Sequence, residues 1–80
     1  MQCHVYASER SQDTYLWLDD PQRVDMLPES LHALLGELRL VIELDLQPDR
    51  TLPRQDAATV LANLRTQGWH LQLPPGEAAD

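Results

Sequence analysis

Hydrophobic and polar positions alternate most regularly between Leu38 and Leu46, which reads Leu-Arg-Leu-Val-Ile-Glu-Leu-Asp-Leu. Every even position is apolar, and positions 39, 43 and 45 are charged. This period of two predicts a strand with one wet face. Leu40, Ile42, Leu44 and Leu46 would be buried under the helical segments on either side. Gln2 to Ser8 also alternates, with Cys3, Val5 and Ala7 in one phase and His4, Tyr6 and Ser8 in the other. Glu9 to Asp13 is polar and turn-like, and Thr14 to Leu18 is rich in strand formers. The short polar gap between the two runs predicts an antiparallel hairpin. Asp19-Asp20-Pro21 ends the second strand. Pro28 suits a first helical position, Glu29 a first turn and Gly36 a stop, with Leu31, Leu34, Leu35 and Leu38 at helical spacing. Leu52-Pro53 opens a second helix with Asp56 in its first turns. Ala57, Val60, Leu61 and Leu64 follow the i, i+3, i+4, i+7 rule, and Gly68 ends the helix. Trp69 to Leu73 forms a last strand that Pro74-Pro75 terminates.

The order is β-β-α-β-α-β. It predicts an α+β fold, a two-layer sandwich in which a four-stranded, mostly antiparallel sheet carries two helices on one face. A chain of 80 residues makes one domain, here residues 1–75, and residues 76–80 read as a disordered C-terminal tail. With 42% apolar residues and no Phe, packing falls on Leu, Val, Ile and the two Trp. The net charge is −7, and all six cations are Arg. That balance argues against tight non-specific nucleic-acid binding, which draws on cations neutralising phosphates. Cys3 is the single cysteine, so the fold cannot depend on an internal disulfide. No apolar run approaches the roughly 18 residues of a membrane helix, and no charged-then-apolar leader opens the chain. A cytoplasmic location is the expectation.

Parity selects the candidate site. If the helices cover the face holding Leu40, Ile42 and Leu44, then Val5, Leu16, Leu18 and Leu71 point inward. His4, Tyr6, Tyr15, Trp17, His70 and Gln72 then share the outer face with Val41, Glu43 and Asp45. Tyr6, Tyr15, Trp17, His70 and Gln72 are the candidate partner-binding residues, since Tyr and Trp are enriched in binding hot spots. Cross-strand packing of aromatic pairs is the competing explanation, worth roughly 0.2–1 kcal/mol per pair. Arg10, Arg50 and Arg54 are candidate anion-binding residues if they converge near a helix N-terminus, but structural pairing with Asp13, Asp49 or Asp56 is the simpler expectation. Cys3, His4 and His70 lack the spacing of a metal site, and Cys3 and His4 point to opposite faces. No catalytic dyad or triad, metal site or cofactor site is expected.

Several separated pieces resemble the YcgL domain family of small bacterial proteins. They are Cys3-x-x-Tyr6-x-Ser8-x-Arg10, Asp13-Thr14-Tyr15-Leu16, Leu27-Pro28, Leu35-Gly36, Pro48-x-Arg50-x-Leu52 with Asp56, and Gly68-Trp69-His70-Leu71-Gln72-Leu73-Pro74-Pro75. The chain departs from the family pattern at Trp69-His70, where relatives usually carry Tyr or Phe followed by Tyr. The resemblance implies a two-layer α/β fold and no enzyme activity, since the family has no assigned reaction. It also hints at RNA metabolism. The combined expectation is a small non-catalytic protein-binding module. It would dock an unidentified protein, or a second copy of itself, through an exposed aromatic sheet face. The alternative is an accessory factor in RNA metabolism that contacts RNA or a ribonuclease.

Overall fold

A computed structural model of the chain describes residues 1–52 and 55–74. It contains four strands, β1 (Gln2–Ser8), β2 (Tyr15–Leu18), β3 (Leu38–Asp45) and β4 (Trp69–Gln72). Helix α1 (Glu29–Leu35) separates β2 from β3, and helix α2 (Ala57–Gln67) separates β3 from β4. The strands form one sheet in the order β3-β1-β2-β4, and every pairing is antiparallel. The α+β class, the four-stranded sheet and the element order are those the periodicity predicts. A short 3-10 helix, Pro21–Met26, was hidden in the segment after Asp19-Asp20. Asp20 caps it by accepting from the Gln22 N–H at 3.0 Å. The second helix starts at Ala57, with Asp56 as its cap rather than within its first turns. Pro53, expected to open that helix, lies outside the described residues, as do residues 75–80 with the expected tail.

The layers differ from the sequence expectation. Val5 pairs with Trp17, while His4 pairs with Leu18 and Tyr6 with Leu16. Directly paired residues share a face, so Leu16 and Leu18 lie opposite to Val5 and Trp17. α2 packs Ala57, Val60, Leu61 and Leu64 against Cys3, Val5, Trp17 and Leu46. The 3-10 turn and α1 pack Leu27, Leu31 and Leu35 against Leu16 and Leu18. The two helices therefore cover opposite faces of the sheet rather than one. The cause is β2, which is central and apolar in both phases: Leu16, Trp17 and Leu18 are all buried. A strand with both faces covered reads as a continuous apolar run.

The stretch with the best alternation is also the most exposed strand. β3 sits at the sheet edge. Leu40 and Ile42, expected in the core, are 49% and 50% exposed, Leu44 is half-buried, and Leu46 is fully buried. β1 pairs Val5 with Ile42 and Tyr6 with Leu40, which leaves Val41 as an extra residue in β3. This bulge shifts the parity by one. Ile42 and Leu44 join the α2 face, and Leu40 joins the α1 face.

Candidate functional site

The expected aromatic face divides between the two layers. Tyr15, Trp17, His70 and Gln72 do share a face, because Tyr15 pairs with Gln72 and Trp17 with His70. Tyr6 does not join them, since its partner Leu16 faces α1. Nor is the shared face open. Trp17 is 6% exposed and His70 7%. Trp17 donates its indole N–H to Gln72 Oε1 at 3.0 Å, and its ring meets His70 edge-on at 6.4 Å. His70 Nδ1 accepts from the Asn63 amide at 2.9 Å, and its Nε2–H donates to Gln55 Oε1 at 2.6 Å. Both ring nitrogens are therefore occupied, and burial holds the imidazole below its ordinary range. His70 ties β4 to α2 and to the segment before it.

The arginines separate as well. Arg10 donates to the Ala33 carbonyl at 2.5 Å and lies over Gly36 at the end of α1. There it completes a helix end together with Ser8 and Ser11, whose hydroxyls donate to the Leu35 and Leu34 carbonyls. Arg50 lies on the α2 side, and Arg54 lies outside the described residues. Among the described residues, Arg10 and Arg50 make none of the expected bridges to Asp13, Asp49 or Asp56. The side-chain pairs among the described residues are Arg23–Asp19 at 2.7 Å, Arg39–Glu9 at 3.1 Å and His4–Glu43 at 2.8 Å. Cys3 is fully buried in the α2 cluster, and burial pushes its thiol up. Among the described residues there is no cluster of three or more His, Cys, Asp or Glu that could hold a metal ion. No helix of the described residues is long and apolar enough to cross a membrane.

What the structure does bring together is a groove of about 380 Å³ on the α2 face beside β3. β1 and β2 contribute Val5, Tyr15 and Trp17, and β3 contributes Val41, Ile42 and Leu44. The connection before α2 contributes Arg50, Leu52 and Gln55, and β4 contributes Gln72. The groove lies between β3, at the edge of the sheet, and the connection that leads into α2. Leu40, Val41 and Ile42 are each about half exposed at this edge. Three of the five expected partner-binding residues, Tyr15, Trp17 and Gln72, line the groove. Sequence reasoning missed Val41, Ile42, Leu52 and Gln55. The available signal was Leu40-Val41-Ile42, three consecutive apolar residues in an otherwise alternating strand.

A family model for the YcgL domain matches residues 3–75. The chain belongs to the YcgL domain family. It is 44% identical over 75 residues to a YcgL domain-containing protein of Pseudomonas paraeruginosa, an alignment covering 94% of this chain and 77% of the relative. A YcgL domain-containing protein of Thioalkalivibrio sulfidiphilus is 41% identical over 75 residues, 94% of this chain and 93% of its own. One from Pseudomonas fluorescens is 39% identical, with 94% and 77% covered. The groove and the β3 edge thus lie within the matched part of the YcgL domain.

Proposed function

We propose that this YcgL domain is a non-catalytic protein-binding module that docks a partner along β3 and the adjoining groove. One observation carries the reading. Leu40, Val41 and Ile42 stand half exposed on a strand that, among the described residues, is paired on one side only, next to an apolar groove. An edge strand offers a row of free backbone donors and acceptors, and native folds normally blunt it with charge or cover it. Strand addition at such an edge is a common mode of peptide recognition, with affinity from the backbone and selectivity from side-chain pockets. The docking surface is thus the margin of the aromatic face, not its centre, which α2 covers.

The candidate acid–base groups are already used structurally, which supports a non-catalytic role. Both nitrogens of His70 are bonded, His4 faces Glu43, and the Cys3 thiol is buried. A lone buried thiol also suits a reducing, cytoplasmic setting. Contact with RNA is the weaker alternative, because β3 itself carries Glu43 and Asp45. The test is affinity recovery of the tagged chain from a bacterial lysate, with and without ribonuclease, beside a Val41→Lys/Ile42→Lys variant. A protein partner that survives ribonuclease and is absent from the variant is the expected result. Equal recovery by the variant overturns the reading, and recovery that vanishes with ribonuclease favours RNA.

A further inference from the structure

We infer that the groove receives the C-terminal residue of a partner chain, its apolar side chain against Trp17, Ile42 and Leu44 and its carboxylate on Arg50. The inference rests on the docking reading above and names the partner's chemistry. Charge carries it. Among the described residues Arg50 is the one cation lining the groove, and its guanidinium makes no hydrogen bond or ion pair with them. Arg10, Arg23 and Arg39 are each engaged. Asp45, the acid Arg50 acts on electrostatically, is held instead by the Met1 amine at 2.9 Å and by the Gln47 amide at 3.0 Å. In a chain of net charge −7, an uncommitted guanidinium beside an apolar hollow selects an apolar carboxylate. Arginine forks match that group in two parallel hydrogen bonds.

Size favours a chain terminus over an internal acid. A groove of about 380 Å³ lies at the small end of ligand sites, which run from roughly 300 to 1,000 Å³. In an extended segment, successive side chains alternate faces, so an internal acid and its apolar neighbour would point opposite ways. A C-terminal residue carries side chain and carboxylate on one Cα and delivers both to the same place.

The bulge works against a second copy as the occupant. Antiparallel self-pairing of β3 centred on Val41 would set Leu40 opposite Ile42, and Arg39 opposite Glu43, of the other copy. Both pairs need a continuous parity of two. With the extra residue at Val41, Leu40 and Ile42 face opposite sides of the sheet, as do Arg39 and Glu43, and the matching fails.

The test is an NMR titration of the full chain with two acetylated Thr-Val-Thr-Val-Leu peptides, one ending in a free carboxylate and the other in a carboxamide. The acid form is expected to shift backbone amides from Ile42 to Asp45 and that of Gln72. Amidation, or Arg50→Gln, should each weaken binding at least about tenfold, the loss expected when one or both of these charge-assisted hydrogen bonds go. Added salt should weaken the acid form alone. Equal binding of acid and amide, indifference to Arg50→Gln, or no shift with either peptide at millimolar concentration overturns the inference. Lysate recovery with the same variants separates it from the reading beneath it. Partners lost with Val41→Lys/Ile42→Lys but kept with Arg50→Gln overturn only the carboxylate. Partners kept by both variants overturn both.

Discussion

Gly36→Ala tests how α1 is fastened to the sheet. Gly36 follows α1 at φ 63°, ψ −142°, and its N–H donates to the His32 carbonyl. That conformation lies close to a region used almost only by Gly, and a side chain held there costs about 1–3 kcal/mol. A Cβ would also stand 3.1 Å from Arg10 Cβ and 3.3 Å from Arg10 Nε. The first of these is the root of the side chain, so it moves only with the 9–13 turn. That turn is pinned to α1 by Ser8 at 2.6 Å, Ser11 at 2.9 Å and Arg10 at 2.5 Å. Losing one of these bonds adds about 0.5–1.5 kcal/mol. The total is roughly 2–4 kcal/mol. At about 4–8 °C per kcal/mol for a domain of this size, the melting temperature should fall by roughly 8–30 °C. Gly68→Ala is the control. Gly68 sits at φ 86°, ψ −1°, where a side chain costs about 1–2 kcal/mol. The atoms its Cβ would meet, Arg23 Cδ at 2.7 Å and Nε at 3.0 Å, belong to a partly exposed chain that can swing away. Losing the Arg23–Asp19 pair adds under about 1 kcal/mol. Asn tolerates the left-handed region, so Gly68→Asn should recover stability, whereas Gly36→Asn should not. Urea midpoints would decide it. A Gly36→Ala chain within about 1 kcal/mol of the parent, or less perturbed than Gly68→Ala, refutes the reasoning.

Three other expectations follow from buried or capping groups. Burial holds His70 below its usual value of 6.5, so at mildly acidic pH the unfolded chain binds a proton that the folded chain does not. Stability should be full above about pH 6.5 and fall as pH drops below it. His70→Gln should flatten that slope in urea midpoints from pH 7.5 to 5.5, and an unchanged slope counts against it. Asp56 accepts from the Thr59 N–H at 3.3 Å and its hydroxyl at 2.8 Å. Asp56→Ala should therefore cost about 0.5–2 kcal/mol by urea unfolding, with most of it restored by Asp56→Ser. Cys3 is fully buried with a raised thiol, so a thiol reagent should label it slowly in buffer and quickly in denaturant. Fast labelling of the folded chain would contradict the buried position.

The element order was legible because each element carried its own punctuation. Gly36 and Gly68 both take positive φ after their helices, and Leu31, Leu35, Val60, Leu61 and Leu64 are buried as their spacing demands. The layers were not legible. Leu31 and Leu35 state that α1 needs an apolar surface, but not which side of the sheet supplies it. Leu16-Trp17-Leu18 held the answer, since three buried neighbours in one strand need cover on both faces. The site was displaced for a different reason. Assigning faces by parity assumes that no residue is inserted. Val41 is inserted, and no residue type marks a bulge of this kind. Tyr6 and Tyr15 were joined by counting along separate strands, where only the cross-strand register decides.

With Trp17, Leu16 and Leu18 buried between two helical layers, the core closes without Val41 and Ile42, each of which keeps half its surface in water. A fully buried aliphatic side chain is worth about 1.5–3 kcal/mol, so these two contribute roughly half that apiece. Lysine can lay its methylene stem along the same surface with the ammonium in water. Val41→Lys/Ile42→Lys should then cost under about 2 kcal/mol in urea unfolding while removing the partner. If β3 served only to complete the fold, stability and docking would fall together, or docking would not change. A variant that stays folded and loses its partner would show that the exposed aliphatics serve recognition. A loss of more than about 4 kcal/mol would place them in the core, and the edge would then have to be read as structural.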